Sequence, residues 1–138
     1  MAVTKDTARK FGLVAEITLA KDSLVTAVAA AVIDMPAGSV IDDIYPVVDA
    51  LFDPTTSAVV EFGSAEATTN DLVASQNIFT GQALGARTGV ATAKGFKFTT
   101  GGSIWAKYTS GGGLATVGQL RLIVRYHNEA QADFVQKK

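Results

Sequence analysis

His127 is the single histidine of this chain, and there is no cysteine. Any histidine-based dyad or triad would have to run through that one ring. Thiolate chemistry and a disulfide framework are excluded outright. His127 follows Tyr126 and precedes Asn128 at the end of an alternating segment. That position reads as a solvated strand end rather than a catalytic base. A zinc site would have to be completed by carboxylates alone. Asp42 and Asp43 are adjacent, so on a regular strand they face opposite sides and do not act as a pair. Asp49 and Asp53 bracket Phe52 near a turn. Two carboxylates gathered there could do acid–base work or hold calcium. The spacing is not that of an EF-hand, and solvated strand faces and turn caps are the roles it favours. A hydrolase built on Asp42, Asp49 or Asp53 has no visible nucleophile–base pair behind it. The chain therefore reads as a non-enzyme with no catalytic residue, no metal and no cofactor.

The glycine-rich stretches carry no phosphate chemistry. Gly81, Gly85 and Gly89 follow neither the dinucleotide fingerprint nor the P-loop with its Lys-Ser/Thr. Gly111-Gly112-Gly113 sits between two alternating segments, where glycine supplies the positive φ of a hairpin turn. Those flanking segments hold the most suggestive side chains: Trp105, Lys107, Tyr108, Arg121 and Arg125. Trp105 and Lys107 share one strand face and Tyr108 takes the other. Such a surface could stack bases or sugars, form half of a subunit contact, or simply pack long side chains over a sheet.

The elements that would position these residues are strands. In residues 119–126, Leu120, Leu122, Val124 and Tyr126 point one way while Arg121, Ile123 and Arg125 point the other. This period of two marks a half-buried antiparallel strand. The same pattern recurs at 13–19, 57–62, 103–108 and, weakly, 91–99. Residues 25–35 combine alanines with Thr26, Val28, Val32 and Ile33, which favours a strand over a helix, ending at the turn Pro36-Ala37-Gly38. Residues 40–52 form a long apolar strand in which Pro46 demands an edge or a bulge. Asn70 could cap one helical turn over 70–74. Seven or eight short strands with turn signals between them predict an all-β fold, a single antiparallel β-sandwich of jelly-roll-like type. The expected division is a flexible N-terminal arm at 1–12, the sandwich at 13–128 and a polar tail at 129–138.

Composition narrows the function classes. With 138 residues and a net charge of −1, one domain is expected and no long-range attraction to nucleic acid. Charged residues make up 18% of the chain against 48% apolar. That charged share is below the usual ~25%, as expected when loops are rich in Ala, Gly, Ser and Thr or when another subunit covers part of the surface. The N-terminus lacks a signal-peptide pattern, and the apolar run 24–33 is too short to span a bilayer. A protein made in a cytoplasm, with no membrane partner, is expected.

Three stretches carry a resemblance. They are the Met35-Pro36-Ala37-Gly38-Ser39-Val40-Ile41 turn leading into a strand with Tyr45, Val47 and Val48; Val59-Val60-Glu61-Phe62-Gly63-Ser64 before a loose Ala/Thr/Asn segment; and Gly118-Gln119-Leu120-Arg121-Leu122-Ile123-Val124-Arg125-Tyr126. In these the chain resembles capsid decoration (cement) proteins of tailed bacteriophages, of the jelly-roll β-sandwich type. The resemblance implies a virion protein on the capsid surface, often a homo-trimer, that bridges major capsid protein subunits. Within that expectation the candidate interface residues are Lys5, Arg9 and Lys10 on the arm and Trp105, Lys107, Arg121 and Arg125 on the sheet. A tail- or fibre-associated phage module that binds a carbohydrate or host surface through Trp105 or Tyr108 is the alternative.

Overall fold

Period-two alternation organises the whole computed structural model, which describes residues 11–54, 56–80, 82–89 and 91–129. Eight strands follow one another: β1 (Leu13–Ala20), β2 (Ala29–Met35), β3 (Ser39–Ala50), β4 (Ser57–Gly63), β5 (Val73–Asn77), β6 (Lys97–Phe98), β7 (Gly102–Gly111) and β8 (Gln119–Asn128). They form two antiparallel four-stranded sheets, ordered β1-β8-β3-β6 and β2-β7-β4-β5. Every connection except β4–β5 passes from one sheet to the other. That is the jelly-roll winding of a double-sheet sandwich. The all-β sandwich expected from the sequence is the observed fold. The arm residues 1–10, with Lys5, Arg9 and Lys10, and the tail from 130 lie outside the described residues.

The inward rows of the two sheets make one core. Leu120, Leu122 and Val124 of β8 are at most 1% exposed, and they meet Ile104, Ala106 and Tyr108 of β7 and Val60 and Phe62 of β4. Each fully buried aliphatic side chain there contributes ~1.5–3 kcal/mol of transfer free energy. The outward residues of the same strands, Arg121, Ile123 and Arg125, and Trp105 and Lys107, lie on the two outer faces of the sandwich.

β3 departs from strict alternation. Ile41 and Ile44 are both fully buried, and the register against β8 shifts between Ile41 and Asp43. A bulge inserts one extra residue, so Asp42 and Asp43 both leave the core instead of facing opposite sides. Pro46 behaves as expected of an edge. β6 covers β3 only at Ser39 and Val40. Farther along, the Gly85 N–H donates to the Val48 carbonyl and the Thr88 N–H to the Pro46 carbonyl. The proton-less Pro46 nitrogen faces that loop, not the β8 ladder.

Three local expectations are corrected. Gly111-Gly112-Gly113 does not close a hairpin: β7 and β8 belong to different sheets, and the loop crosses between them. Residues 70–74 form no helical turn, because fully buried Leu72 and Val73 lead into β5 and Val73 pairs with Phe62. Five residues cannot offset the cost of helix nucleation when a sheet edge is available. Residues 25–28 turn rather than extend, with Ala27 at φ 63°, its N–H donating to the Tyr108 carbonyl.

Candidate interaction surfaces

The outer face of β1-β8-β3-β6 is laced with ion pairs. Arg121 Nε lies 2.8 Å from Asp49 Oδ2 across β8 and β3, and its Nη1 lies 3.6 Å from Glu16 Oε1 on β1. Hydrogen bonding to Asp49 raises the pKa of the Arg121 guanidinium above its ordinary value. Arg87, from the loop that covers β3, grips Asp43 with both terminal nitrogens at 2.7 and 3.0 Å. It also lies over the Tyr45 ring at 4.4 Å from the centroid. The Arg87 hydrogen bond holds the Asp43 carboxyl below the usual range, against a smaller opposing effect of burial. The Arg125 side chain is exposed on the same face and makes no ion pair or hydrogen bond among the described residues. Asp43, Tyr45, Arg87, Arg121, Ile123 and Arg125 line one shallow hollow there.

At the end of β8, His127 Nδ1 lies 2.8 Å from Asp42 Oδ1, and Nε2 lies 3.7 Å from Glu129 Oε1. Glu129 in turn takes a 2.9 Å hydrogen bond from Lys97, which lowers its pKa. His127 is thus held between two carboxylates at the strand end rather than simply solvated. Among the described residues the ring's polar partners are the carboxylates of Asp42 and Glu129, which supply acceptors and no hydroxyl or thiol nucleophile. No group of three or more metal-ligating side chains occurs among the described residues.

The outer face of β2-β7-β4-β5 is quieter. Trp105 lies in a row between Ala31 of β2 and Gly63 of β4. The backbone of Thr68 and Thr69 occupies the space above Gly63 that a Cβ would take. The 64–69 segment therefore folds over this face at Gly63, the residue in register with half-buried Trp105. Its anchor is Thr69 Oγ1 donating to Glu61 at 2.7 Å, with Ser64 donating to Asp71 nearby. Lys107 borders a shallow groove with Ala29, Glu66 and Thr69, and forms no ion pair among the described residues.

A depression of mixed lining exposes apolar side chains beside Lys21, Asp22, Thr26 and Ser110. Val25 is 68% and Leu114 85% exposed, and both line it with Leu24 and Tyr108. The Tyr108 hydroxyl beneath it is buried without a hydrogen-bond partner among the described residues. Desolvation raises its pKa. Beside this depression, Asp53 accepts the N–H groups of Thr116 and Val117 at 2.6 and 2.8 Å and the Thr116 hydroxyl. The turn-cap role expected for Asp53 is the one it plays.

The four sheet residues singled out by sequence do not form one surface. Trp105 and Lys107 occupy the outer face of one sheet and Arg121 and Arg125 that of the other, on opposite sides of the molecule. Arg87 and Tyr45 were missed. Arg87 lies 44 residues from its partner Asp43, so only the fold joins them. The available signal was one arginine in a glycine-rich loop.

Comparison with known proteins completes the description. No protein-family model matches the chain, and no curated protein matches it. Solved structures do. A chain of the cyanophage Pam1 capsid asymmetric unit superposes with a TM-score of 0.61 at 18% identity, covering 93% of this chain and 92% of that one. A chain of the acidic stable capsid structure of Helicobacter pylori bacteriophage KHP30 gives a TM-score of 0.66 at 13% identity, covering 94% and 100%. At these identities the likeness is one of fold: the sandwich is built like chains found in two phage capsids.

Proposed function

We propose that the chain is a structural, non-enzymatic virion protein that binds the outside of a phage capsid and reinforces contacts between major capsid subunits. The observation that carries this reading is the end-to-end match of the jelly roll to chains of two phage capsids. The match covers 93% and 94% of the chain, so it involves the sandwich as a unit. The distribution of charge supports it: carboxylates of the outer faces are engaged by Arg87, Arg121 and loop hydroxyls, and among the described residues the Arg125 and Lys107 side chains have no ion-pair partner. Added contacts of this kind shift a shell toward its assembled state by mass action, and standard interfaces bury ~1,200–2,000 Å².

The finer parts of the proposal are a homo-trimer and contact through the arm (Lys5, Arg9, Lys10) together with one of the two outer faces. A closed three-fold ring would use two heterologous patches per chain. Because Trp105 and Lys107 lie opposite Arg121 and Arg125, a single flat contact uses one pair and not both. Shell occupancy of variants decides between them. Arg125→Ala lowering occupancy while Trp105→Ala leaves it unchanged assigns the shell to the β1-β8-β3-β6 face, and the reverse result assigns it to the other. Deletion of residues 2–11 is expected to lower occupancy as well. Full occupancy with all three changes combined would remove the contact scheme.

A further inference from the structure

The β1 edge is left open in a way no other edge of the sandwich is. The Lys21 N–H donates to the Gly118 carbonyl, so the backbone groups of Leu13, Ala15, Ile17 and Leu19 face β8. Those of Val14, Glu16 and Thr18 face away and meet no partner among the described residues. Ala20, the next in that row, is closed by Ser23: the Ser23 hydroxyl accepts its N–H, and the Ser23 N–H donates to its carbonyl. Free edges are normally blunted by proline, lysine, bulges or shortness. β2 has a bulge between Ala31 and Ile33, β5 has five residues and β6 two. β1 keeps unbroken register over eight residues, with the sequence LVAEITLA and neither proline nor lysine. Beside it, Ala15 and Ile17 and, on β2, Val32 and Ile33 are core residues left only partly buried.

We propose that β1 pairs antiparallel with β1 of a second copy of this chain, about a two-fold axis through Ile17, joining two sheets into one of eight strands. The occupant follows from chemistry. A strand added here must carry apolar residues toward the half-covered core and polar ones outward, and β1 itself has that pattern. Register follows from charge. With Ile17 facing Ile17 of the second copy, Glu16 of one chain stands across from Thr18 of the other. Thr18 is in turn aligned with Arg121 on β8. Each Glu16 then reaches the second copy's Arg121 over a short threonine. A slip of one pair would set Glu16 against Glu16, which like charges disfavour. In the favoured register the outward N–H and C=O of Glu16 and Thr18 are matched, and the ladder stops where Ser23 has already closed Ala20. This contact goes beyond shell binding and needs no shell; combined with the three-fold ring proposed above, it makes an assembly of six chains, an even multiple.

The test exploits the absence of cysteine from the chain. Ile17→Cys lies on the axis and is expected to give a covalent dimer on air oxidation. Val14→Cys lies far from its symmetry mate and is expected not to. By sedimentation equilibrium, the wild-type chain at high concentration has a mass equal to an even multiple of one chain. Thr18→Pro removes only an outward N–H and leaves the β8 ladder intact, so it halves that mass with an unchanged far-ultraviolet spectrum. Thr18→Glu, which sets like charges opposite each other without touching the backbone, halves it too. A monomeric or odd-numbered wild type, equal cross-linking at positions 14 and 17, or a mass unaffected by both Thr18 changes overturns the proposal.

Discussion

Tyr108 gives the sharpest prediction at the scale of single residues. Its ring packs 5.3 Å from that of Phe52, while its hydroxyl is buried without a well-formed hydrogen bond among the described residues, Ser110 being the side chain near enough to act on it. A desolvated hydroxyl without a partner costs free energy that a hydrogen atom in its place would not. Tyr108→Phe is therefore expected to leave stability unchanged or raise it by ~1 kcal/mol in urea unfolding. A loss of that size would show that the hydroxyl has a partner. Acid sensitivity belongs to this scale as well. Hydrogen bonds hold three carboxyls below their ordinary pKa: Asp43 through Arg87, Asp53 through the Thr116 hydroxyl and Glu129 through Lys97. A depressed folded-state pKa adds stability above the unfolded value of ~4, and that stability is lost as pH falls through the lower folded value. The melting temperature is expected to fall as pH drops from about 5 toward 2. In Asp53→Asn the fall is shallower, because that carboxylate no longer titrates. An identical acid profile would mean that the Asp53 cap is not formed in solution.

Alternation told which way each strand's side chains point, and that much of the fold was legible in the sequence. Leu120, Leu122 and Val124 are buried, and Arg121 and Arg125 face out, as the period of two requires. What alternation does not encode is the neighbour. β7 and β8 are consecutive and joined by three glycines, yet in a jelly roll successive strands lie in opposite sheets. A side chain's inward direction is the same whether its strand pairs with the next one or faces it across the core. For the same reason the aromatic–basic group split into two faces. The Asp42–Asp43 bulge was invisible because nothing local separates a bulged strand from a regular one; the burial of both Ile41 and Ile44 decides it. Gly63 shows an element depending on one missing side chain. A Cβ there would stand 1.9 Å from the Thr68 carbonyl oxygen and 2.4 Å from the Thr69 Cα. Gly63→Ala is expected to lift the 64–69 segment and cost ~3 kcal/mol, the upper end for overpacking. The emission of Trp105, the single tryptophan, should move to longer wavelength as the segment beside it loosens. An unshifted spectrum with full stability would mean that the segment does not pack on that face.

At the scale of the whole molecule, two sheets enclose one apolar core and send their charged residues to two outer faces; on the β1-β8-β3-β6 face arginines and carboxylates pair with one another, and on the other Glu61 and Asp34 take hydroxyl donors. Such a body offers two broad sheet faces and exposed apolar side chains at Val25 and Leu114, which suit association. The measurement that bears most directly on the shell role is cryo-microscopy of capsids assembled without this protein, then incubated with it. The proposal predicts an eight-stranded sandwich at regular positions on the outer surface, spanning the boundaries between major capsid subunits. Shells that stay bare at saturating concentration, or density confined to the interior or to the tail, would contradict it.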